Sequence, residues 1–261
     1  MRPLGELRGA GRLSGVFFDI DDTLTTDGAL TAQAYAAMER LKSSGRRVVP
    51  ITGRPAGWCD HIARMWPVDA VVGENGAFYF WHDRDAHQLR RRYLIDAAAR
   101  AANRARLDAI GGRVIASVPG AALASDQNYR ECDLAIDFCE DVPALPLEAA
   151  ERIAQLLRNE GMTAKISSVH VNAWFGNYDK LGMTRMLARE RFGVDLDAAC
   201  NDYVFIGDSP NDAAMFGYFP NSVGVANIAR FAGRLDAAPA YVTRNAGGAG
   251  FAELVDRLLQ D

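Results

Sequence analysis

The chain lacks several features that would each point to a different kind of protein. No uninterrupted apolar run approaches the roughly 20 residues a membrane-spanning helix needs. The first fifteen residues carry Arg2, Arg8 and Arg12 among glycines without an apolar stretch, so a secretory leader is not expected. Histidine and cysteine are scarce, at four each. Cys59, Cys132, Cys139 and Cys200 form no Cys-Xaa-Xaa-Cys pair and have no histidine cluster beside them, which argues against a zinc site or a dithiol redox motif. Scattered free thiols suit a reducing cytosol. Charge of one sign is not in excess either: a formal net charge of -4 gives no general attraction to nucleic acid. Internal repeats and low-complexity tracts are missing. The expectation is a soluble, cytoplasmic protein with neither nucleic acid nor membrane as a partner.

What remains is globular. With 261 residues, 49% hydrophobic and 24% charged, the chain is one large domain or two modest ones and can bury a substantial core. Val16 to Thr25, Val-Phe-Phe-Asp-Ile-Asp-Asp-Thr-Leu-Thr, sets an apolar run directly against Asp19 and Asp21. A buried parallel strand ends this way where its carboxyl end opens onto a ligand crevice. An Asx-rich turn closing a strand is the alternative for a lone Asp-Xaa-Asp. Tyr203 to Asp208 repeats the logic, and Ser209-Pro-Asn then turns the chain so that Asp212 can approach the same place.

Between these strands the pattern alternates. Thr31 is placed to cap a helix running to about Ser44, ended by Gly45, and a strand from Arg47 to Thr52 follows, with Pro50 awkward for a central ladder. Thr52-Gly53-Arg54-Pro55 closes that strand and opens a helix whose first N–H groups favour an anion, with Pro55 suited to its first turn. Thr52 either donates its hydroxyl to a phosphoryl oxygen or simply caps the helix. Val68 to Val72 and Ala77 to Trp81 read as a hairpin across Glu74-Asn75-Gly76, with Asn75 either lining a site or serving the turn.

From about His82 the composition shifts to an arginine-rich stretch, then an alanine-rich helix from Ile95 to about Leu107 that Gly111-Gly112 is expected to end. Extended runs at Val114 to Val118 and Leu134 to Phe138, and a helix from Leu147 to Asn159, complete what looks like an insert. In Ile166 to Trp174 the polar Ser168, His170 and Asn172 alternate with apolar residues, predicting one strand with a polar face. That face either overhangs the catalytic strand ends and reads a sugar, or is solvated. Lys180 opens the next helix, against the preference of the helix dipole. Ser222 to Ala226 and Ala240 to Thr243 read as further strands around a helix near Ile228 to Leu235. Met1 to Ser14 reads as a loose lead-in, and Phe251 to Leu259 as a closing helix after a glycine loop.

Taken in order, Asp19-Xaa-Asp21-Xaa-Thr23, Ile-Thr52-Gly-Arg, Asp179-Lys180 and Gly-Asp208-Ser-Pro-Asn-Asp212 resemble the motifs of the haloacid dehalogenase superfamily of phosphatases. The insert after the second motif is similar to the type with a large α/β cap (type II, IIB-like), which includes sucrose-phosphate and related sugar phosphatases. Asp22 departs from the pattern, since many relatives carry Gly or Asn there. The resemblance implies an α/β fold: a Rossmann-like parallel-sheet core of residues 1–81 and 177–261, with an inserted α+β cap of residues 82–176 as the specificity domain. It implies a phosphomonoester hydrolase acting on a small phosphorylated metabolite, expected to be a sugar phosphate, with a phosphomutase or a non-catalytic sensor as alternatives. Four carboxylates gathered at strand ends repel one another without a cation. Oxygen-only ligands suit Mg²⁺, expected on Asp19, the main-chain carbonyl of Asp21, Asp208 and Asp212. Asp19, ionised by its ordinary pKa of about 3.9, is then the nucleophile that forms an aspartyl-phosphate. Asp21 is the acid and base, and Thr52 and Lys180 hold the phosphoryl oxygens. Gly53, Arg54, Asn75, Gly76, His170 and Asn172 are the expected substrate contacts.

Overall fold

A computed structural model describes residues 1–260. Numbered along the chain, the strands are β1 (Arg2–Pro3), β2 (Gly15–Phe18), β3 (Arg47–Pro50), β4 (Val71–Gly73), β5 (Phe78–Asp83), β6 (Gln88–Tyr93), β7 (Ala122–Leu123), β8 (Asp133–Asp137), β9 (Thr163–Ile166), β10 (His170–Trp174), β11 (Tyr203–Gly207), β12 (Val223–Gly224) and β13 (Tyr241–Val242). The α-helices are α1 (Ala32–Ser43), α2 (Ala56–Met65), α3 (Ala97–Ser117), α4 (Leu147–Asn159), α5 (Lys180–Leu187), α6 (Leu196–Ala199), α7 (Ala213–Tyr218) and α8 (Gly247–Leu258).

Six strands form a wholly parallel sheet in the order β1-β13-β12-β11-β2-β3. In its interior β2 lies beside β11, with Phe17 opposite Phe205 and Phe18 opposite Ile206. Phe17 and Phe18 are both fully buried but in different clusters: Phe18 packs with Leu24, Met38 and Phe251, Phe17 with Phe205, Phe216 and Phe219. Burial on both faces is why this strand reads as an unbroken apolar run, and each ring contributes about 1.5–3 kcal/mol of transfer free energy. Both central strands point their carboxyl ends the same way, which brings the two acid-bearing loops to one edge.

Pro50 fits because of where its missing N–H falls. Arg47 and Ile51 donate toward β2, while Val48 donates to the Asp69 carboxylate and Thr52 to the Val72 carbonyl on the other side. Pro50 therefore removes a donor from the β3–β4 gap, where the pairing is reduced to the single Ile51–Val72 bridge. The hairpin β4–β5 forms as expected and extends to β6 as an antiparallel sheet, running past residue 82.

Beyond it, β7-β8-β10-β9 make a separate antiparallel sheet covered by α3 and α4, with Leu107, Ile110, Val114, Ile153 and Leu157 packed on Leu134, Ile136 and Val171. Three expectations fail here and at the amino terminus. The run Val114–Val118 is not extended, because α3 continues through Gly111-Gly112 to Ser117. A Cβ on Gly111 would lie 3.0 Å from the side chains of Leu123 and Leu134, so this glycine lets the helix approach the sheet and does not end it. Ile166–Trp174 is not one strand but the end of β9, a turn closed by Ser167 N–H to the His170 carbonyl, and β10. The lead-in is not loose: β1 pairs with β13, and Leu4, Leu7 and Ala10 lie in the core.

Smaller differences concern helix ends. Pro55 sits at the N-cap of α2, one place before its first turn, Ala226–Phe231 is a 3-10 helix ending before Leu235, and α8 begins at Gly247. Among the described residues no helix is long and apolar enough to cross a membrane.

Candidate active site

The loop after β2 turns tightly: the Ile20 carbonyl accepts from the N–H groups of Thr23, Leu24 and Thr25, and Asp22 takes a left-handed backbone at φ 54°. Aspartate tolerates that region better than most residues, which accounts for an acid where glycine or asparagine is common in the resembling family. Asp19 at the strand end is buried, and its Oδ1 accepts from Lys180 Nζ at 2.7 Å. The same Nζ donates to Asp212 Oδ1, also at 2.7 Å. Asp212 Oδ2 in turn accepts from the backbone of Asp208 at 3.1 Å and Ser209 at 3.4 Å, which fixes the turn after β11.

Lys180 reaches this place because Asp179 caps α5, accepting from Gly182 N–H at 2.7 Å. Gly76, at φ 107°, packs directly on the backbone of Asp179, where a Cβ would collide. It therefore seats the lysine-bearing turn.

Carboxylate oxygens of Asp19, Asp208 and Asp212 lie within 4.8 Å of one another, all buried. Burial pushes the Asp19 carboxyl up to about 8; Lys180 opposes the rise, and Asp212 and Asp21 add to it. Asp208 is raised well above the carboxylate range by burial and by Asp19 and Asp212. Lys180 moves the other way: burial works against its charge, but Asp19 and Asp212 outweigh it and its pKa is raised. One buried lysine among three buried acids leaves an excess of negative charge that a hard divalent cation with oxygen ligands would offset. The donor set fits such an ion. It also corrects the expectation that Asp19 ionises by its ordinary pKa alone. Arg230 supplies further positive charge, with Nη2 at 2.5 Å from Asp22 and 3.2 Å from Asp208.

Thr52 is fully buried, and its Oγ1 accepts from the Arg54 N–H at 3.0 Å. Arg54 spans the site. Its Nε lies 2.9 Å from both Asp21 oxygens and its Nη2 2.6 Å from Oδ1. Nη1 and Nη2 also reach Glu140, Nη1 lies 3.4 Å from Asp126, and the guanidinium sits 4.5 Å over the Trp58 ring. Asp21, Arg54, Glu140, Ser168 and Arg230 line a cavity of about 660 Å³ with Phe138, Leu145 and Phe231.

The remaining candidates fall behind this rim. Asn75 and Asn172 converge on Gly53, whose Cβ position is 3.1 Å from Asn75 Nδ2 and 3.4 Å from Asn172 Oδ1. Asn172 donates to Asp133 at 3.1 Å, whereas neither polar atom of Asn75 has a partner among the described residues. His170 is buried, with Nε2 2.9 Å from Glu140 Oε2, at ion-pair distance but off the direction of a hydrogen bond.

Sequence reasoning missed Glu140, Glu74 and Arg130. Glu140 had a signal: it follows the apolar run of β8, the pattern already read at Asp19 and Asp208. The Asp137 side chain accepts from the N–H groups of Cys139, Glu140 and Asp141, turning the chain there. Glu74 had none. Its buried carboxylate accepts from Ala56, Glu131, Cys132 and Asp133, tying the start of α2 to the strand that begins β8. Arg130 bonds the Gly53 carbonyl at 2.8 Å and Asp133 at 3.0 Å.

Known proteins resemble the chain in sequence and in fold. Residues 16–102 match the model of the haloacid dehalogenase-like hydrolase family. Over 245 residues, the chain is 29% identical to a phosphoglycolate phosphatase of Pyrobaculum neutrophilum, across 92% of this chain and 93% of that one. The same fold recurs in solved structures at lower identity. A Thermoplasma acidophilum protein, 0175, superposes with a TM-score of 0.68 at 16% identity, covering 94% of this chain and 98% of its own. The sucrose-phosphatase of Synechocystis, solved with sucrose and phosphate, does so with 0.61 at 14% identity, covering 95% and 98%.

Proposed function

We propose that the protein is a Mg²⁺-dependent phosphomonoester hydrolase that releases phosphate from a small phosphorylated metabolite, a sugar phosphate, through an aspartyl-phosphate on Asp19. The observation that carries this reading is the buried cluster in which Lys180 bridges Asp19 and Asp212 beside Asp208. Asp19, the Asp21 carbonyl, Asp208 and Asp212 would hold the ion, which when bound supplies positive charge against the substrate phosphate and keeps the carboxylates ionised. A free Asp19 oxygen attacks phosphorus while the bond to the leaving oxygen breaks. Asp21 gives that oxygen its proton and later takes one from the water that cleaves the acyl-phosphate. Lys180 and the Thr52 hydroxyl hold the phosphoryl oxygens, so positioning and fixed charge supply most of the acceleration.

Residues 82–176 serve in this reading as the cap over the strand ends, with 1–81 and 177–261 as the core. The cavity wall carries Asp21, Asp22, Asp27 and Glu140 against Arg54 and Arg230. Acid excess disfavours a second anionic group on the substrate, while the Ser168 hydroxyl on the same wall, without a partner among the described residues, offers a hydrogen bond to a polyol. Phosphoglycolate, the substrate in the name of the Pyrobaculum relative, is carboxylated and therefore the informative competitor.

A panel of hexose phosphates and phosphoglycolate, assayed with Mg²⁺, tests the reading. Phosphate release from a hexose phosphate, lost at least ~10³-fold in Asp19→Asn, is expected. Full turnover by Asp19→Asn would end the covalent mechanism, an isomerised phosphate would favour the mutase, and preference for phosphoglycolate would move the substrate class.

A further inference from the structure

Arg54 is held along two edges. Nε and Nη2 face Asp21, and Nη1 and Nη2 face Glu140, with Asp126 behind and the Trp58 ring below. A planar guanidinium forked onto two carboxylates has little freedom left, and each acid fixes the plane seen by the other. Glu140 is itself held from two sides. Its N–H donates to Asp137 Oδ1 at 2.8 Å, and its Oε2 has His170 Nε2 at 2.9 Å. A rigid path therefore runs from the end of β8 through Glu140 and Arg54 to the Asp21 carboxylate, across the join between the antiparallel sheet and the parallel core.

We propose that Glu140 is a positioning residue for proton transfer at Asp21, acting through Arg54. This rests on the hydrolase reading. In the balanced step, the leaving-group oxygen gains the Asp21 proton as its bond to phosphorus breaks, so the direction of the Asp21 carboxyl matters in proportion to how much that oxygen needs the proton. A sugar alkoxide needs it; a nitrophenolate does not. With Glu140 truncated, the Nη1/Nη2 edge of Arg54 keeps only the longer contact to Asp126 at 3.4 Å, and Asp21 keeps its partner on a less firmly held plane.

The test compares Glu140→Ala with the unmodified protein on two esters, the fastest hexose phosphate of a panel and p-nitrophenyl phosphate, both with Mg²⁺. General acid catalysis is worth ~10²–10⁴-fold, and misdirection should forfeit part of it: kcat/KM, which covers the reaction only as far as departure of the leaving group and so leaves out hydrolysis of the shared aspartyl-phosphate, is expected to fall ~10–100-fold on the hexose phosphate and no more than about 3-fold on the nitrophenyl ester. Glu140→Gln, which keeps an acceptor for Arg54, is expected to recover part of the loss and stands in if the alanine variant does not fold. An equal fall in kcat/KM on both esters would overturn the positioning role while leaving the hydrolase reading intact. No phosphate from either ester with the unmodified protein would overturn both.

Discussion

Lys180 donates to two buried acids at 2.7 Å each, so its removal leaves two carboxylates without their cation. Breaking a buried pair in this way costs about 3–5 kcal/mol. Lys180→Met is expected to lose stability of that order in urea unfolding with chelator present, with part restored by Mg²⁺. Glu140 gives a pH signature of the opposite kind. Burial alone would raise its carboxyl, but His170 and Arg54 outweigh it and lower it from 4.5 to about 2. A depressed folded pKa means that its stabilisation is complete above about pH 4.5 and is lost as pH falls toward 2. Acid unfolding followed by circular dichroism should show a shallower decline over that window in Glu140→Gln. At this scale the acids at strand ends were legible, because an apolar run broken by charge is a one-dimensional pattern. The partners of Arg54 were not, since Asp21, Asp126 and Glu140 lie 33, 72 and 86 positions from it.

Among the elements, α3 shows most clearly how packing overrides a breaker. Gly111 faces Leu123 and Leu134 at contact distance, while Gly112 is exposed with nothing near its Cβ position. Gly112→Ala should therefore stabilise the protein by about 0.5–1 kcal/mol from helix propensity alone. Gly111→Leu should destabilise it by about 1–3 kcal/mol through overpacking. Urea midpoints of the two variants decide this, and a similar gain at both positions would mean that the close approach of helix to sheet is not real. A glycine pair in sequence says only that the backbone is free; whether it stops a helix depends on what lies opposite. The same limit applies to Ser167–Val169, where a turn interrupts an alternation that reads as continuous strand.

For the molecule as a whole, the acid cluster predicts linkage between folding, protons and metal. A ligand that binds only the folded state adds about 2.7 kcal/mol at 100 times its Kd. Mg²⁺ is thus expected to raise the melting temperature of the chelated protein, and Asp208→Asn to remove most of that rise. Because burial holds the Asp19 carboxyl up near 8, ion binding at pH 7 should also release protons. Calorimetry in buffers of different ionisation enthalpy measures this directly; proton uptake, or none, would contradict the raised Asp19. Overall assembly also explains the amino terminus. Arg2–Pro3 extends the sheet only after β13 is in place, some 240 residues later, and Leu4, Leu7 and Ala10 then fill the core beneath.

The order of apolar runs and their terminal acids, by itself, determined the parallel α/β core and put Asp19, Asp21 and Asp208 at strand ends, because strand period and charge placement are local properties of the chain; Lys180 was singled out with them only through the resemblance of the ordered motifs. Only the tertiary structure decided that Gly76 seats the Lys180 turn, that Glu74 ties α2 to β8, and that Arg54 is shared between Asp21 and Glu140. Those are contacts between distant segments. Their energies depend on burial and direction, which no spacing along the chain encodes.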